Sequence, residues 1–277
     1  MFKVKLSSSV TLLTTVFFIG TFWLSSSSVV FGKGGTETVV KGNVEMGKKV
    51  YESRCAICHN SKGDGNGAIG IVEKGEVGDH AWSIYPRDFT TAVFKFRSTP
   101  TGCLPAAQDL EHIISNGILR SGMPSHHDLS NQDIASVVEY LKTFSPRWQE
   151  EQSTEGWQTG ITCKSIIAVK PKWVGSADSV NKGEALFNKM KCLECHGKEG
   201  KGDGPKSQTI KDDAERPILP FNFTKGALKR GSTPENIYMT FTTGLDGSGM
   251  PSYGDSLNEE ERWNLVSYTL KLMKNVK

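Results

Sequence analysis

Hydrophobic runs long enough to cross a membrane are missing from this sequence beyond its N-terminus. No later stretch approaches the ~20 consecutive apolar residues that a membrane-spanning helix needs. The chain also lacks an excess of charge of one sign, because 33 lysines and arginines stand against 30 aspartates and glutamates. Nucleic-acid-binding proteins usually carry a clustered basic face, so no nucleic-acid partner is predicted. Cysteine is scarce, with six residues, and each one can be considered individually.

The one apolar run lies at the N-terminus. It follows a short basic start with Lys3 and Lys5, covers about residues 10–24, and leads to small residues near Gly32. This order is typical of a secretory signal peptide, which we predict over residues 1–32. The alternative is an uncleaved membrane anchor, for which the run is short. The rest of the chain is predicted to be exported to the periplasm or an equivalent compartment, where disulfides are stable.

Four of the six cysteines occur in two copies of one pentapeptide. The copies read Cys-Ala-Ile-Cys-His at 55–59 and Cys-Leu-Glu-Cys-His at 192–196. Two cysteines three residues apart, with histidine directly after the second, form the attachment signature of a c-type haem. The two thiols add to the vinyl groups of one porphyrin, and the histidine then ligates the iron. Two covalent haems are therefore predicted, and the residues that attach and ligate them are Cys55, Cys58, Cys192, Cys195, His59 and His196.

Other landmarks repeat in the same order as the pentapeptides. A glycine-rich loop follows each histidine, Ser-Thr-Pro occurs at 98–100 and at 232–234, and Gly-Met-Pro-Ser occurs at 122–125 and at 249–252. Such internal similarity indicates two copies of one module. We predict a first domain over residues 33–145, a connector over 146–178 and a second domain over 179–277.

Each copy reads as helices joined by long loops, without a run of alternating strand residues. Capping-box patterns begin the last helices at Ser130 and Asn258, and apolar residues recur at helical spacing from Ile134 to Leu141. The predicted fold class is all-α, with a few helices around each haem. Earlier helices are predicted at about 44–56, 106–115, 179–193 and 234–242.

The two Gly-Met-Pro-Ser sequences supply candidates for the second axial ligand of each iron. Glycine lets the backbone approach the porphyrin closely, and proline restricts the preceding methionine to an extended backbone. We therefore predict that Met123 and Met250 ligate the irons. Two alternatives stay open: the methionines are core residues, or His126 or His127 ligates the first iron.

These motifs together resemble class I cytochrome c domains, and the whole chain resembles a two-domain dihaem cytochrome c. The resemblance covers about residues 44–145 and 179–275. It implies that the first and last helices of each module cross where a small residue meets an aromatic one, at Gly47 and Tyr140 and at Gly183 and Tyr268.

The resemblance also implies which groups surround the haems and which proteins exchange electrons with them. In the family a proline carbonyl often accepts the Nδ1–H of the proximal histidine, and Pro205 occupies that place in the second copy, whereas the first copy has Gly67 and Ala68. The stretches at 86–90 and 96–100 resemble dihaem cytochromes that serve molybdenum-containing oxidoreductases.

The remaining two cysteines lie outside the haem motifs. Cys103 lies in or beside a seven-residue insertion of the first copy, and Cys163 lies in the connector. In an exported protein they are predicted to form a disulfide. The alternative is that Cys103 is a thiolate axial ligand, as in some sulfur-oxidising dihaem enzymes.

Three arginines are candidates for binding the carboxylates of the haems. Arg87, Arg97 and Arg230 could form bidentate hydrogen bonds with these groups, or they could be solvated.

The function predicted from these features is single-electron transfer, without catalysis of its own. Its partners would be a redox protein donor and acceptor, with a molybdenum-containing oxidoreductase or a membrane complex as a candidate. The alternatives are a peroxidase-like or thiosulfate-oxidising dihaem enzyme, which needs one open or unusual sixth position, and a zinc protein built on the two cysteine pairs.

Overall fold

The computed structural model describes residues 40–71, 73–77, 80–153 and 163–274. The predicted signal peptide lies outside the described residues. The helices of the described residues are α1 (Val44–Arg54), α2 (Ala56–His59), α3 (Ala107–Asn116), α4 (Asn131–Lys142), α5 (Arg147–Ser153), α6 (Ala177–Lys189), α7 (Leu193–His196), α8 (Pro234–Thr243) and α9 (Glu259–Lys274), with a 3-10 turn at Phe223–Lys225.

Polar residues with short side chains begin several of these helices. The Asn43 side chain accepts a hydrogen bond from the Met46 N–H at the start of α1, and Ser176 and Thr233 do the same for α6 and α8. Each cap satisfies an N–H that has no partner inside the helix. Asn258 and Glu261 form the predicted capping box of α9.

In each module the first helix crosses the last helix at a glycine. A Cβ atom added to Gly47 of α1 would collide with the Ser136 carbonyl of α4, with the Tyr140 Cβ close by. The same collision would occur between Gly183 of α6 and Asn264 of α9. Only glycine allows two helix backbones to approach this closely. The helices therefore cross at the places that the resemblance implies.

Each module has an apolar core of its own around this crossing. The first core combines α1, α3 and α4 with aromatic loop residues, and includes Tyr51, Phe89, Leu110, Ile114, Val137 and Val138. The second core includes Phe187, Phe223, Ile237, Trp263, Leu265 and Val266.

The first module carries a hairpin that the sequence did not predict. Strands β1 (Glu73–Val77) and β2 (His80–Ile84) pair antiparallel, with Glu73 opposite Ile84. This two-stranded ribbon lies in the long loop after the first haem motif and leaves the fold mostly helical. The prediction of an all-α fold class is confirmed.

The connector begins as part of the first module. Its helix α5 buries Trp148 in the first core, edge-on to Phe94 at a centroid distance of 6.0 Å. Trp157 lies outside the described residues, and Trp173 is partly exposed. The boundaries 33–145, 146–178 and 179–277 stay predictions.

The two modules contact each other through reciprocal pairs of loops. The Arg120 guanidinium lies over the Phe221 ring, 5.9 Å from its centroid, and donates to the Lys225 carbonyl. In the other direction, Gly247 of the second module lies against the Arg87 side chain of the first. Arg120 and Gly247 each lie three residues before a predicted methionine ligand, and Arg87 and Phe221 occupy equivalent repeat positions. An approximate two-fold axis therefore relates the modules.

No helix of the described residues is long and apolar enough to cross a membrane.

Candidate haem-binding sites

Each Cys-x-x-Cys-His sequence forms a single helical turn that gathers its three functional side chains. The His59 N–H donates to the Cys55 carbonyl at 2.9 Å, and the His196 N–H donates to Cys192 at the same distance. Residues three and four apart on a helix lie on one face, so both sulfurs and the imidazole of each motif face the same space. None of these four cysteines forms a disulfide.

Backbone carbonyls orient both imidazoles. His59 Nδ1 lies 3.0 Å from the Arg87 carbonyl oxygen, and His196 Nδ1 lies 3.1 Å from that of Phe221. Because a carbonyl can only accept, Nδ1 carries the proton and Nε2 keeps the lone pair that a metal needs. Each carbonyl belongs to the residue after a proline, so the expectation that Pro205 itself supplies the carbonyl is wrong.

Phenylalanine rings and burial complete the surroundings of the two imidazoles. Phe89 stacks on His59 with ring centroids 4.5 Å apart, and Phe223 stacks on His196 at 4.7 Å. Burial lowers the pKa of both histidines, opposed by the hydrogen bonds to the backbone carbonyls. A lowered pKa keeps each imidazole neutral, and the neutral form is the one that ligates a metal.

The two sites open into one continuous cavity. Its volume is about 1630 Å³, whereas a pocket for one small ligand usually measures about 300–1,000 Å³. The space and the donor set both fit two large apolar cofactors with iron centres. The predicted ligands and attachment residues all line the cavity: Cys55, Cys58, His59, Met123, Cys192, Cys195, His196 and Met250.

The methionine loops of the two modules have matching backbones. The Ile118 N–H donates to the Met123 carbonyl at 3.1 Å, and the Leu245 N–H donates to the Met250 carbonyl at 3.0 Å. Each loop follows the glycine that ends the middle helix. The structure therefore brings both methionines to the wall of the cavity that the two histidines also line.

The two alternative ligands of the first iron differ in position. His126 is buried and lines the cavity, whereas His127 is exposed and bonded through Nδ1 to the Ser125 hydroxyl. In the second module buried Tyr253 occupies the position of His126. Met123 and His126 therefore both stay candidates for the first iron.

Cys103 is not placed to ligate an iron. It forms a disulfide with Cys163, and it does not line the cavity. Cys103 therefore has no free thiolate in this structure with which it could ligate an iron.

Positive charge collects in the part of the cavity between the modules. Arg87, Lys95 and Arg230 line it, and Arg230 Nη1 is buried without a hydrogen-bond partner among the described residues. Burial, together with Arg87, lowers the pKa of Lys95 to about 8. A cationic cavity wall with an unused donor suits the carboxylates of a haem.

Arg97 has a different role from the one considered in the sequence. Its side chain is fully buried and does not line the cavity. It forms an ion pair with Asp246 across the module interface. Asp246 and Lys95 were not among the residues predicted from the sequence. Lys95 and Lys229 share the 134-residue offset of the two Ser-Thr-Pro sequences and could have been paired on that ground.

Among the described residues, no group of three or more His, Cys, Asp or Glu side chains could hold a metal ion by itself.

Comparisons with known proteins agree with this geometry. The model of the family described as cytochrome c oxidase, cbb3-type, subunit III matches residues 42–141 and again residues 178–268. A chain in the solved structure of the reducing HAO-like protein complex of Kuenenia stuttgartiensis is similar, with 35% sequence identity and a TM-score of 0.71. That similarity covers 82% of this chain and 96% of the other. No curated protein matches the sequence significantly.

Each matched region contains one Cys-x-x-Cys-His sequence and one Gly-Met-Pro-Ser sequence. Cytochrome c domains carry covalently bound haem c, and two such regions support two haems and a role in electron transfer. The resemblance to a tandem cytochrome c is confirmed. This chain belongs to the family of c-type cytochromes described as subunit III of cbb3-type cytochrome c oxidase, and it carries the family's domain twice.

Proposed function

We propose that this protein is a dihaem cytochrome that carries single electrons between redox proteins outside the cytoplasm. The observation that supports this most strongly is the single cavity into which both sets of cysteine, histidine and methionine side chains point. Cys55 and Cys58 attach the first haem, and Cys192 and Cys195 attach the second. Haem supplies one-electron redox chemistry when it is bound.

The chain's own residues then hold the ligands and exclude water. The Arg87 and Phe221 carbonyls keep the Nδ1 proton on each histidine, so that His59 and His196 present Nε2 to the metal. Met123 and Met250 would supply the remaining ligand of each iron and would leave no place there for a substrate. We propose electron transfer without catalysis on this ground.

We further propose that the cationic wall between the modules receives the haem carboxylates. Arg230 Nη1 has no other hydrogen-bond partner among the described residues, and Arg87 and Lys95 line the same space. Carboxylates at this place would offset the cost of burying these cations. The porphyrins would then direct their carboxylate edges at the module interface.

The protein's partners follow by analogy. The similar solved chain belongs to a reducing HAO-like protein complex. We therefore propose that this chain serves as an electron-transfer subunit of an oxidoreductase complex, with a molybdenum-containing enzyme as a further candidate. We also propose export through the predicted signal peptide, because haem attachment by this motif and the Cys103–Cys163 disulfide both suit an extracytoplasmic compartment.

The ligand set can be tested on the exported, matured protein. Intact mass should show two covalent haems, and the reduced protein should give two ring-current-shifted methionine methyl signals in its NMR spectrum, one for each ligated methionine. We expect Met123→Ala and Met250→Ala to remove one signal each, whereas His126→Gln should leave both. If Met123→Ala keeps every methionine methyl signal of the wild type and His126→Gln changes the haem spectrum, His126 ligates the first iron. A wild-type protein with fewer than two methionine signals that also binds peroxide would favour the enzymatic alternative.

A further inference from the structure

The loop that carries Met250 is held by the other module. Asp246 lies four residues before Met250, and its Oδ1 lies 2.8 Å from Arg97 Nη2 of the first module. The Thr101 hydroxyl donates to Asp246 Oδ1 at 2.7 Å, and the Gly102 N–H donates to Oδ2 at 3.2 Å. One carboxylate thus accepts a charged donor and two neutral donors from a single segment, residues 97–103.

Segment 97–103 is itself rigidly fixed in the first module. Arg97 donates through Nη1 to the Phe94 carbonyl at 3.0 Å and through Nε to the Pro100 carbonyl at 3.1 Å. The disulfide between Cys103 and Cys163 fastens the end of the segment to the connector. A donor set whose positions are fixed in advance can hold a carboxylate without losing further conformational freedom.

A second contact holds the start of the same methionine loop. Arg97 Nη2 donates to the Thr243 carbonyl at 2.7 Å, and Thr243 is the last residue of α8. Arg97 therefore fixes the loop at the end of the helix and again at Asp246, which leaves a short backbone path to Met250.

In the first module, Arg120 contacts the second module three residues before Met123, but among the described residues no carboxylate corresponds to the clamp at Asp246. The backbone pairing of the two methionine loops makes Leu119 the counterpart of Asp246, and Leu119 is 53% exposed. Thr101, Gly102 and Cys103 lie at the start of the segment that is seven residues longer in the first copy than in the second. The lengthened segment of one module thus supports the methionine loop of the other.

We propose that Asp246 is a positioning residue that keeps Met250 on the iron of the second haem, and that segment 97–103 with its disulfide exists to hold Asp246. This inference rests on the proposed function, which makes Met250 an axial ligand. A methionine side chain has three rotatable bonds and no charge to direct it, so its place at the metal depends on where its backbone is held. Partners beyond the ligands themselves commonly change metal–ligand affinity by about 10–100-fold.

The test compares the two haems within one matured protein, so that Met123 serves as the internal reference for Met250. In Asp246→Ala we expect the Met250 methyl signal of the reduced protein to weaken or vanish while the Met123 signal stays. Alkylation of Met250 by bromoacetate, mapped by peptide mass, should accelerate by about tenfold or more, as expected for loss of an outer partner of a metal ligand. Asp246→Asn keeps an oxygen acceptor and should fall between wild type and Asp246→Ala.

Two further variants control for charge and for folding. Asp128→Ala removes an exposed carboxylate that forms an ion pair with Arg54, and it should change neither methionine signal. If Asp246→Ala leaves too little folded protein because Arg97 is then buried without its carboxylate, Arg97→Met with Asp246→Leu removes both charges together. That double variant should also lose the Met250 signal selectively, and Cys103→Ser with Cys163→Ser should weaken it.

Three results would overturn the inference. Both methionine signals could persist at wild-type strength in Asp246→Ala and in the double variant, which would show that the clamp does not position Met250. Both signals could fall together, which would show a general loss of structure and no selective effect on the second haem. A wild-type protein without a Met250 signal would contradict the proposed ligand set itself, and this result is visible before any variant is made.

Discussion

Arg97 carries a charge inside a closely packed interface, and its surroundings account for that. Its guanidinium donates to three backbone carbonyls and to the Asp246 carboxylate, and its side chain is fully buried. Burial lowers the pKa of this arginine, and Asp246 opposes that effect. A buried charge is tolerated when every donor has a partner. The charge of Arg97 is thus compensated by its hydrogen-bond partners, and the same bonds join the two modules.

Replacing Arg97 by methionine should therefore be costly. The change leaves the three carbonyls without their donor and leaves Asp246 with only its two neutral donors, Thr101 and Gly102. Breaking a buried pair typically costs about 3–5 kcal/mol. We expect the free energy of unfolding, measured by urea denaturation of the matured protein, to fall by about 3 kcal/mol. The pair of Arg54 and Asp128 has the same 2.8 Å separation but is half exposed, so Arg54→Met should cost less than about 1 kcal/mol. Equal losses in the two variants would contradict this account.

At the residue scale, residues that belong to short local motifs come together in the structure. The cysteine pair, the histidine after it and the methionine between glycine and proline are short motifs whose residues the fold brings to one cavity. The carbonyl that orients His59 belongs to Arg87, 28 residues away. No local spacing in the sequence predicts that hydrogen bond. The pattern common in the family indicated Pro205 in the second copy, and the carbonyl there belongs to Phe221.

At the scale of helices, each module depends on one crossing. Gly183 of α6 lies against the backbone of α9, where a Cβ would collide with the Asn264 carbonyl. Adding one methyl group to a fully packed contact typically costs about 1–3 kcal/mol. We expect Gly183→Ala to lower the free energy of unfolding by about that amount, measured by thermal denaturation followed through the haem absorption. Gly70→Ala is the matched control, because its nearest neighbour would be 3.6 Å away; a similar loss there would refute the packing explanation.

The helices were predictable to within a few residues except α5, which lies in the predicted connector, and the hairpin was not predictable. The side chains of Ser130 and Thr233 cap the first turns of α4 and α8, so the sequence alone predicts where these two helices begin. Strands β1 and β2 are five residues each, too short for alternation to stand out from a polar loop. The repeat alignment could indicate extra residues there, but not their conformation.

At the scale of the whole molecule, the approximate two-fold axis brings equivalent residues of the two modules near each other. Lys95 and Lys229 occupy equivalent positions of the two copies, and each affects the other electrostatically across the interface. Asp212 and Asp213 offset part of this positive charge. Equivalent residues that interact electrostatically lie near the axis that relates the two copies. We therefore expect the cationic wall of the cavity to act on both haem sites.

This placement predicts how the two haem potentials respond to pH. A cation near a haem favours the reduced state, which carries one positive charge fewer, so reduction raises the pKa of Lys95. Burial and Arg87 lower that pKa to about 8, and haem carboxylates bound beside Lys95 would raise it. As pH rises through this pKa the cation is lost, and we expect both potentials to fall by some tens of millivolts, with a slope of at most about 59 mV per pH unit for one electron.

The lysine responsible can be identified by comparing two variants in spectroelectrochemical titrations from neutral to alkaline pH. Lys95→Met lacks the cation at every pH, so its potentials should lie below those of wild type at pH 7 and should stay flat above pH 8. Lys182→Met removes an exposed lysine that pairs with Asp178 on the surface, and it should titrate as wild type does. Because Lys95 acts on both sites, its removal should shift the two potentials in the same direction. A shift of one potential alone would show that Lys95 acts on a single haem, and it would contradict a cationic wall shared by both haems.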